Sequence, residues 1–228
     1  MADSAEPADA KDRARRDVAA AFIGMSPGRR RAASIAVAQQ LGLLPPVTQA
    51  ATIMAFLSLP TEIDTWPTIR WAWDRGKRVA IPRIEPGPED ADTPAHERAM
   101  RPVLLEAADV EFVAAHPAVR PGAFGILTAP DAPTVPPAGI DVVLVPCQAV
   151  DRKGNRLGKG GGCYDRFLGR PEVRATRIAL VFQEQVLDAV PVGEADQPLD
   201  MIVTEGEVLR FNRAAIVSPE SENLPAKE

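Results

Sequence analysis

The chain has only two cysteines, two histidines and one tyrosine in 228 residues. Cys147 and Cys163 alone exclude a disulfide scaffold and a four-cysteine zinc site. His96 and His116 leave little material for a histidine-built metal centre. No uninterrupted apolar run approaches the ~18 residues that a membrane span needs. The first ten residues, MADSAEPADA, lack the basic n-region and apolar core of a signal peptide. A cytoplasmic, reducing compartment is therefore expected. The length suits one generous domain or two small ones. At this size, folding buries roughly 70% of the unfolded chain's surface, so neither a metal nor a disulfide is required as a staple. Hydrophobic residues at 46% and charged residues at 25% are ordinary for a globular protein. A net charge of -5 disfavours nucleic acid and anionic membrane as partners.

The charge is unevenly placed. Lys11, Arg13, Arg15, Arg16, Arg29, Arg30 and Arg31 outnumber Asp12 and Asp17 between residues 11 and 31. Arg152, Lys153, Arg156 and Lys159 form a second basic cluster. Two basic clusters on an acidic chain point to a local anion site, with a solvated helix face as the plainer reading of the arginines at 13, 16 and 29–31.

Apolar patterning predicts an α/β fold: one open, mostly parallel sheet with helices on both faces, a Rossmann-like three-layer arrangement in a single domain over residues 10–217. Disordered tails are expected at 1–9 and 218–228. A basic helix is expected over Ala10–Phe22. A second opens at Ser26-Pro27, with Ile35, Ala38, Gln39 and Gly42 on one side and Ala36, Gln40 and Leu43 on the other, and ends at Pro45-Pro46. Ala51–Leu57, Arg78–Pro82, Asp141–Pro146 and Arg177–Phe182 read as buried strands. Met201–Val203 and Ala214–Val217 read as weaker ones, and Pro102–Leu105 and Val110–Val113 as short edge strands. Between the first two strands, Trp66, Ile69 and Trp73 fall on one helix face, which is core packing rather than a cofactor box. Residues 83–101 read as a long loop.

The chemistry-bearing segment is 141–168, DVVLVPCQAVDRKGNRLGKGGGCYDRFL. A buried strand runs into a stretch with Gly154, Gly158, Gly160, Gly161 and Gly162, then into a helix that starts at Cys163. In open α/β sheets, ligands bind beyond the carboxyl ends of strands. Glycines there let backbone N–H groups converge on an anion, and the helix N-terminus adds its dipole. With Arg156 and Lys159 beside the glycines, the segment reads as a phosphate cradle. It is neither a Walker A loop, since Gly154 and Gly158-Lys159 are too close and no Ser or Thr follows, nor a Rossmann G-x-G-x-x-G.

The run Gly154–Asp165 resembles the glycine-rich loop of the 5-formyltetrahydrofolate cyclo-ligases, also called methenyltetrahydrofolate synthetases. Weaker pieces follow in order: Lys11 with Arg15, Phe56-Leu57-Ser58 with Glu62-Ile63, Arg75-Gly76-Lys77, Ile81-Pro82-Arg83, Val181–Gln185, and Asp196 with Asp200. The resemblance implies ATP-dependent conversion of 5-formyltetrahydrofolate to 5,10-methenyltetrahydrofolate, with ATP and Mg²⁺ as co-substrate and cofactor and a monomer or homodimer as the working unit. It implies that Lys11, Arg15, Arg156, Leu157, Gly158, Lys159, Gly160, Gly161, Gly162, Cys163 and Tyr164 bind ATP. It places Leu57, Glu62, Lys159, Gly160, Gly161, Gly162 and Cys163 at the folate, Asp165 and Asp196 at the metal, and Lys159 and Tyr164 at the reacting groups. Cys163 stands where the family usually has an aromatic ring, a loss of roughly 1 kcal/mol of stacking, and Gly161 stands where some relatives have lysine. Two rival readings remain open on the residues alone: a paralogue that binds nucleotide or folate without turnover, and a sugar-phosphate isomerase or CoA-transferase-like enzyme on a similar sheet.

Overall fold

In the computed structural model of the chain, residues 5–21, 24–85, 99–122 and 126–212 are described. Helix α1 (Ala5–Ala21) begins before the expected Ala10. Pro7 sits in the first turn, where a missing N–H costs nothing. The tail expected at 1–9 is thus helical from Ala5. The tail expected at 218–228, the strand expected at Ala214–Val217 and residues 86–98 of the expected loop lie outside the described residues.

Helix α2 (Pro27–Leu41) starts as expected: Ser26 is the N-cap, and its Oγ accepts from Arg29 N at 3.2 Å. Its buried stripe is Ala33, Ser34, Val37, Ala38 and Leu41. The sequence left open which side turns inward; in the structure Ile35 and Leu43 are exposed. The alanine-rich helix offers little contrast between faces, and Val37 and Leu41 set which one turns inward. Pro45-Pro46 opens a short helix, α3 (Pro45–Gln49), as well as following α2.

Strand β1 (Thr52–Met54) is shorter than its apolar run; Ala55, Phe56 and Leu57 stay buried past its end. Helix α4 (Trp66–Trp73) packs Trp66 edge-on to Trp73 at 5.5 Å, within the core as expected. Gly76, at φ 67, closes the turn into β2 (Arg78–Ile84), which pairs with β3 (Met100–Leu105). The strand expected at Val110–Val113 does not form. Glu111 O is taken by Trp66 Nε1 at 2.9 Å, and Val113–Ala115 makes a 3₁₀ turn. Buried His116 pins that region: its Nε2–H donates to Glu106 O at 2.9 Å, while Nδ1 accepts from Ala118 N at 3.2 Å. The remaining elements are β4 (Arg120–Pro121), β5 (Leu127–Thr128), β6 (Val142–Val145), β7 (Ala149–Asp151), β8 (Arg156–Leu157), α5 (Cys163–Leu168), β9 (Thr176–Leu180), β10 (Val186–Leu187), β11 (Met201–Val203) and β12 (Val208–Arg210).

The main sheet has the order β12-β11-β9-β6-β1-β2-β3. Its inner pairs β11–β9, β9–β6, β6–β1 and β1–β2 are parallel, and only the edge strands β3 and β12 run antiparallel. Along β6 the side chains alternate between two cores. Val142 and Leu144 join the core under α1–α4, whereas Val143 and Val145 join the one under α5. This is the expected open α/β sheet with helices on both faces. Among the described residues no helix is long and apolar enough to cross a membrane. From β1 the chain moves to β2 on one side, and β6 then starts the succession β6-β9-β11 on the other. The carboxyl ends of β1 and β6 therefore flank a topological switch point, where ligand crevices form.

Leu144 is fully buried at the centre of this sheet. Leu144→Ala should lower unfolding stability by about 2–5 kcal/mol, read by urea denaturation, and a loss below about 1 kcal/mol would contradict its place in the core.

Candidate active site

The glycine-rich segment is two structures rather than one loop. Residues 149–157 form the β7–β8 hairpin. Its turn is organised by Asp151, whose carboxylate accepts from Lys153 N at 2.9 Å, Asn155 N at 3.0 Å and Asn155 Nδ2 at 2.9 Å. Gly154 belongs to this turn, at φ 87, and an added Cβ would meet the Phe211 ring at 2.9 Å. Its role is the hairpin, not the cradle. The signal for that hairpin was present as Asp151, Gly154 and Asn155, all turn formers.

The cradle itself is 158–162, slung between β8 and α5. Gly160 at φ 101 and Gly162 at φ 59 hold left-handed conformations that other residues adopt only under strain. Gly162 is the N-cap of α5, so the loop ends on a helix N-terminus. Helix α1 reaches this loop from the other side. Arg15 Nε donates to Gly158 O at 2.9 Å, and its guanidinium also pairs with Asp12. Lys11 Nζ lies 2.6 Å from Asp196 Oδ2, which also accepts from Gly193 N at 2.7 Å. Arg156, nearly inaccessible, donates through Nη2 to Asp165 Oδ1, and Gln197 N donates to the same oxygen at 3.0 Å. Lys159 Nζ lies 2.8 Å from Glu62 Oε1, while Glu62 Oε2 accepts from Leu59 N at 2.8 Å. Each cation is thus aimed by a carboxylate.

These groups enclose one cavity of about 530 Å³. Every residue expected at the site from the sequence lines it, from Lys11 and Arg15 through Leu57 and Glu62 to the run Arg156–Asp165 and Asp196. Sequence reasoning missed apolar lining residues: Leu59, Pro82 and Ile84 at the end of β2, Ile126, and Pro146 with Cys147 past the end of β6. For Leu59, Pro146 and Cys147 the signal was positional, because they follow the carboxyl ends of β1 and β6.

Two polar atoms on the cavity walls are buried with no hydrogen-bond partner among the described residues: the Tyr164 hydroxyl and Arg156 Nε. Burial, reinforced by the Glu62 charge and only partly opposed by Arg156, pushes the Tyr164 phenol above its ordinary range. It is a neutral O–H donor at any working pH. Burial likewise pushes the Cys147 thiol up to about 12, with Arg156 opposing and Glu62 adding to the shift. Cys147 is consequently a protonated thiol in the wall and not a nucleophile.

Asp165 Oδ2 and Asp196 Oδ1 accept no hydrogen bond from the described residues, whereas their other oxygens are held. Gln197, whose N–H is bonded to Asp165, follows Asp196 directly, and both carboxylates line the same cavity. Among the described residues no group of three or more His, Cys, Asp or Glu forms a cage for a metal ion. Two hard oxygen donors without such a cage fit a cation like Mg²⁺, which is commonly held by one or two carboxylates with substrate phosphates and water completing its shell.

A mostly parallel sheet with a glycine-lined cleft of paired cations and carboxylates near its switch point defines an α/β protein of the open-sheet class. The sequence profile of the 5-formyltetrahydrofolate cyclo-ligase family matches residues 7–205. The chain is 31% identical over 195 residues to 5-formyltetrahydrofolate cyclo-ligase of Escherichia coli, covering 79% of this chain and 96% of that one. It is 28% identical over 162 residues to the mouse protein of the same name, covering 67% and 72%. Its fold matches the 5,10-methenyltetrahydrofolate synthetase of Aquifex aeolicus with a TM-score of 0.69 at 26% identity, covering 94% of this chain and 96% of that one. It also matches that of Mycoplasma pneumoniae with a TM-score of 0.63 at 18% identity, covering 86% and 98%, a likeness of fold. The chain belongs to the 5-formyltetrahydrofolate cyclo-ligase family and is, with it, a ligase.

Tyr164→Phe removes only a buried hydroxyl that lacks a partner. Because such a group costs about 1–3 kcal/mol, the variant should melt at the same temperature as the parent or higher; a clear drop in Tm would mean that the hydroxyl is already satisfied. The raised thiol pKa has a pH consequence. Below the unfolded-state value near 9, Cys147 is protonated in both states and its contribution to stability is fully present. Between that value and about 12 the unfolded chain has released this proton and the folded chain has not, so stability falls as pH rises. Equilibrium unfolding across this window should show a decline that Cys147→Ala flattens, and an identical slope in the variant would refute the assignment.

Proposed function

We propose that the chain converts 5-formyltetrahydrofolate to 5,10-methenyltetrahydrofolate with consumption of ATP and release of ADP and phosphate, through a phosphorylated formyl intermediate. The observation that carries this reading is one cavity lined by two unlike sets of residues: cations, glycines and carboxylates, and the apolar Leu57, Leu59, Pro82, Ile84 and Ile126. A polyphosphate suits the first set and the ring faces of a pterin and its aryl group the second.

The chemistry needs positioning more than a protein nucleophile. A formamide oxygen is a poor leaving group. Its attack on the γ-phosphorus of ATP breaks the bond to ADP and leaves an iminium phosphate. The neighbouring amine then attacks the formyl carbon, the carbon–oxygen bond breaks, inorganic phosphate departs with the former formyl oxygen, and the amine proton is lost. In this reading Lys11 and Arg15, both on α1, neutralise phosphate charge together with Arg156 and the loop N–H groups. Tyr164, whose buried hydroxyl has no partner among the described residues, and Lys159, paired with Glu62, serve the transferred group. Lys159 is displaced from Glu62 or shares it with the substrate. Asp165 and Asp196 would hold Mg²⁺, which when bound neutralises charge developing on the phosphoryl oxygens. Cys147 and Cys163 form no disulfide, which agrees with a reducing, cytoplasmic setting.

The test is an assay of purified protein with 5-formyltetrahydrofolate and Mg-ATP, following the absorbance of the methenyl product. Product should require ATP, and Asp165→Asn, which keeps an oxygen for Arg156, should lower turnover by about a hundredfold or more. ATP binding without any product would instead identify a paralogue that binds without turnover, and loss of ATP binding as well would remove the phosphate-cradle reading altogether.

A further inference from the structure

Strand β9 places an arginine in an otherwise apolar layer. Arg177 is 6% exposed and points to the same side as Ala179 and Val181, both in the core against which Phe167 and Leu168 of α5 pack. A guanidinium taken from water costs several kcal/mol unless it is fully hydrogen-bonded, and an apolar residue would fill such a layer more cheaply. What Arg177 touches is therefore informative.

Its Nη2 donates to Leu168 O, at the last residue of α5, at 2.6 Å. Its Nη1 donates to Gln197 Oε1 at 3.2 Å and to Pro198 O at 3.3 Å. Its backbone closes a further pair, N donating to Asp200 Oδ2 at 2.8 Å and O accepting from Asp200 N at 2.9 Å. One residue on a central strand thus grips both the end of α5 and the segment 197–200. Each of those elements carries a cavity carboxylate: Asp165 lies one turn before Leu168, and Asp196 directly precedes Gln197. Gln197 N donates to Asp165 Oδ1, which closes the ring of contacts. Helix α5 has only six residues, too few to hold a position by its own hydrogen bonds. Its placement relative to Asp196 must come from outside the helix.

We infer that Arg177 is a positioning residue that sets the distance between Asp165 and Asp196, and through them the affinity of the site for the divalent ion of the nucleotide. The inference rests on the proposed reading that these two carboxylates hold that ion. Arg177 touches neither the nucleotide nor the folate. Its effect passes through the last carbonyl of α5 on one side and the Gln197-Pro198 segment on the other.

The test is Arg177→Met, which keeps the length of the side chain and an apolar fit to the layer. Mn²⁺ is used as the probe, and its binding in the presence of ATP is measured by electron paramagnetic resonance, alongside thermal unfolding and the KM for 5-formyltetrahydrofolate. Mn²⁺ affinity should fall about tenfold or more, as when a partner behind a metal ligand is removed, with the folate KM unchanged. Arg177→Lys, which cannot bond both segments at once, should fall between. A folded Arg177→Met with unchanged Mn²⁺ affinity, or with only a lower Tm, overturns the inference. If that variant does not fold, Gln197→Leu removes one acceptor only and should still weaken Mn²⁺ binding several-fold; unchanged binding there overturns it too. If the parent protein binds ATP but no Mn²⁺, the metal reading fails and the inference falls with it. A binding parent and an indifferent variant refute the positioning role alone.

Discussion

The ion pair between Arg156 and Asp165 joins the end of β8 to the first turn of α5. At 3% side-chain exposure the guanidinium has almost no water to fall back on, and Asp165 is its carboxylate partner. Breaking such a pair by deleting one member typically costs about 3–5 kcal/mol. The four glycines at 158, 160, 161 and 162 lie between the two paired residues, and glycine loses more conformational freedom on folding than any other residue. With both ends of the loop fixed, glycine supplies a shape instead of disorder. The Arg156–Asp165 pair thus turns a flexible sequence into a cradle, and it aims Asp165 at the cavity in the same step.

The rest of the site follows from the sheet. Because β1 and β6 run parallel with their continuations on opposite sides, the chain leaving each strand turns away and a crevice opens between them. Phe56 and Leu57 leave β1 into it, Pro146 and Cys147 leave β6, and Pro82 and Ile84 flank it from β2. These residues make the apolar wall by virtue of position alone. The polar lining is assembled from distant segments, α1, the glycine loop and the 193–197 turn, and each cation in it is held by a carboxylate. One cavity thus combines charged groups with apolar surface.

Much of this was legible in the sequence because some signals are local and strong. Val142–Pro146 and Ile178–Phe182 are continuous apolar runs, and both fall on central strands. Ser26-Pro27 is a helix start by cap chemistry, and it is one. The glycine run with its flanking basic residues marked the cradle, and Arg156 with the run Gly158–Asp165 lines the cavity, whereas Gly154 belongs to the β7–β8 turn. What escaped was weak or contextual. Strands β7, β8 and β10 have two or three residues each, too few for periodicity to show. The inward face of α2 was not readable from the sequence because alanine gives no contrast. The apolar wall was indistinguishable from core, since Pro82 or Ile126 becomes a ligand surface only by facing a crevice. Arg177 was read as the first residue of a strand, and nothing in the sequence marks a guanidinium as buried.

The central claim is that the formyl oxygen is carried off on phosphate within one cavity. Turnover of 5-formyltetrahydrofolate bearing heavy oxygen in its formyl group, followed by mass analysis of the released inorganic phosphate, tests it most directly. The account predicts that the label appears in the phosphate, one atom per methenyl product formed. Label found in water, with unlabelled phosphate, would contradict it.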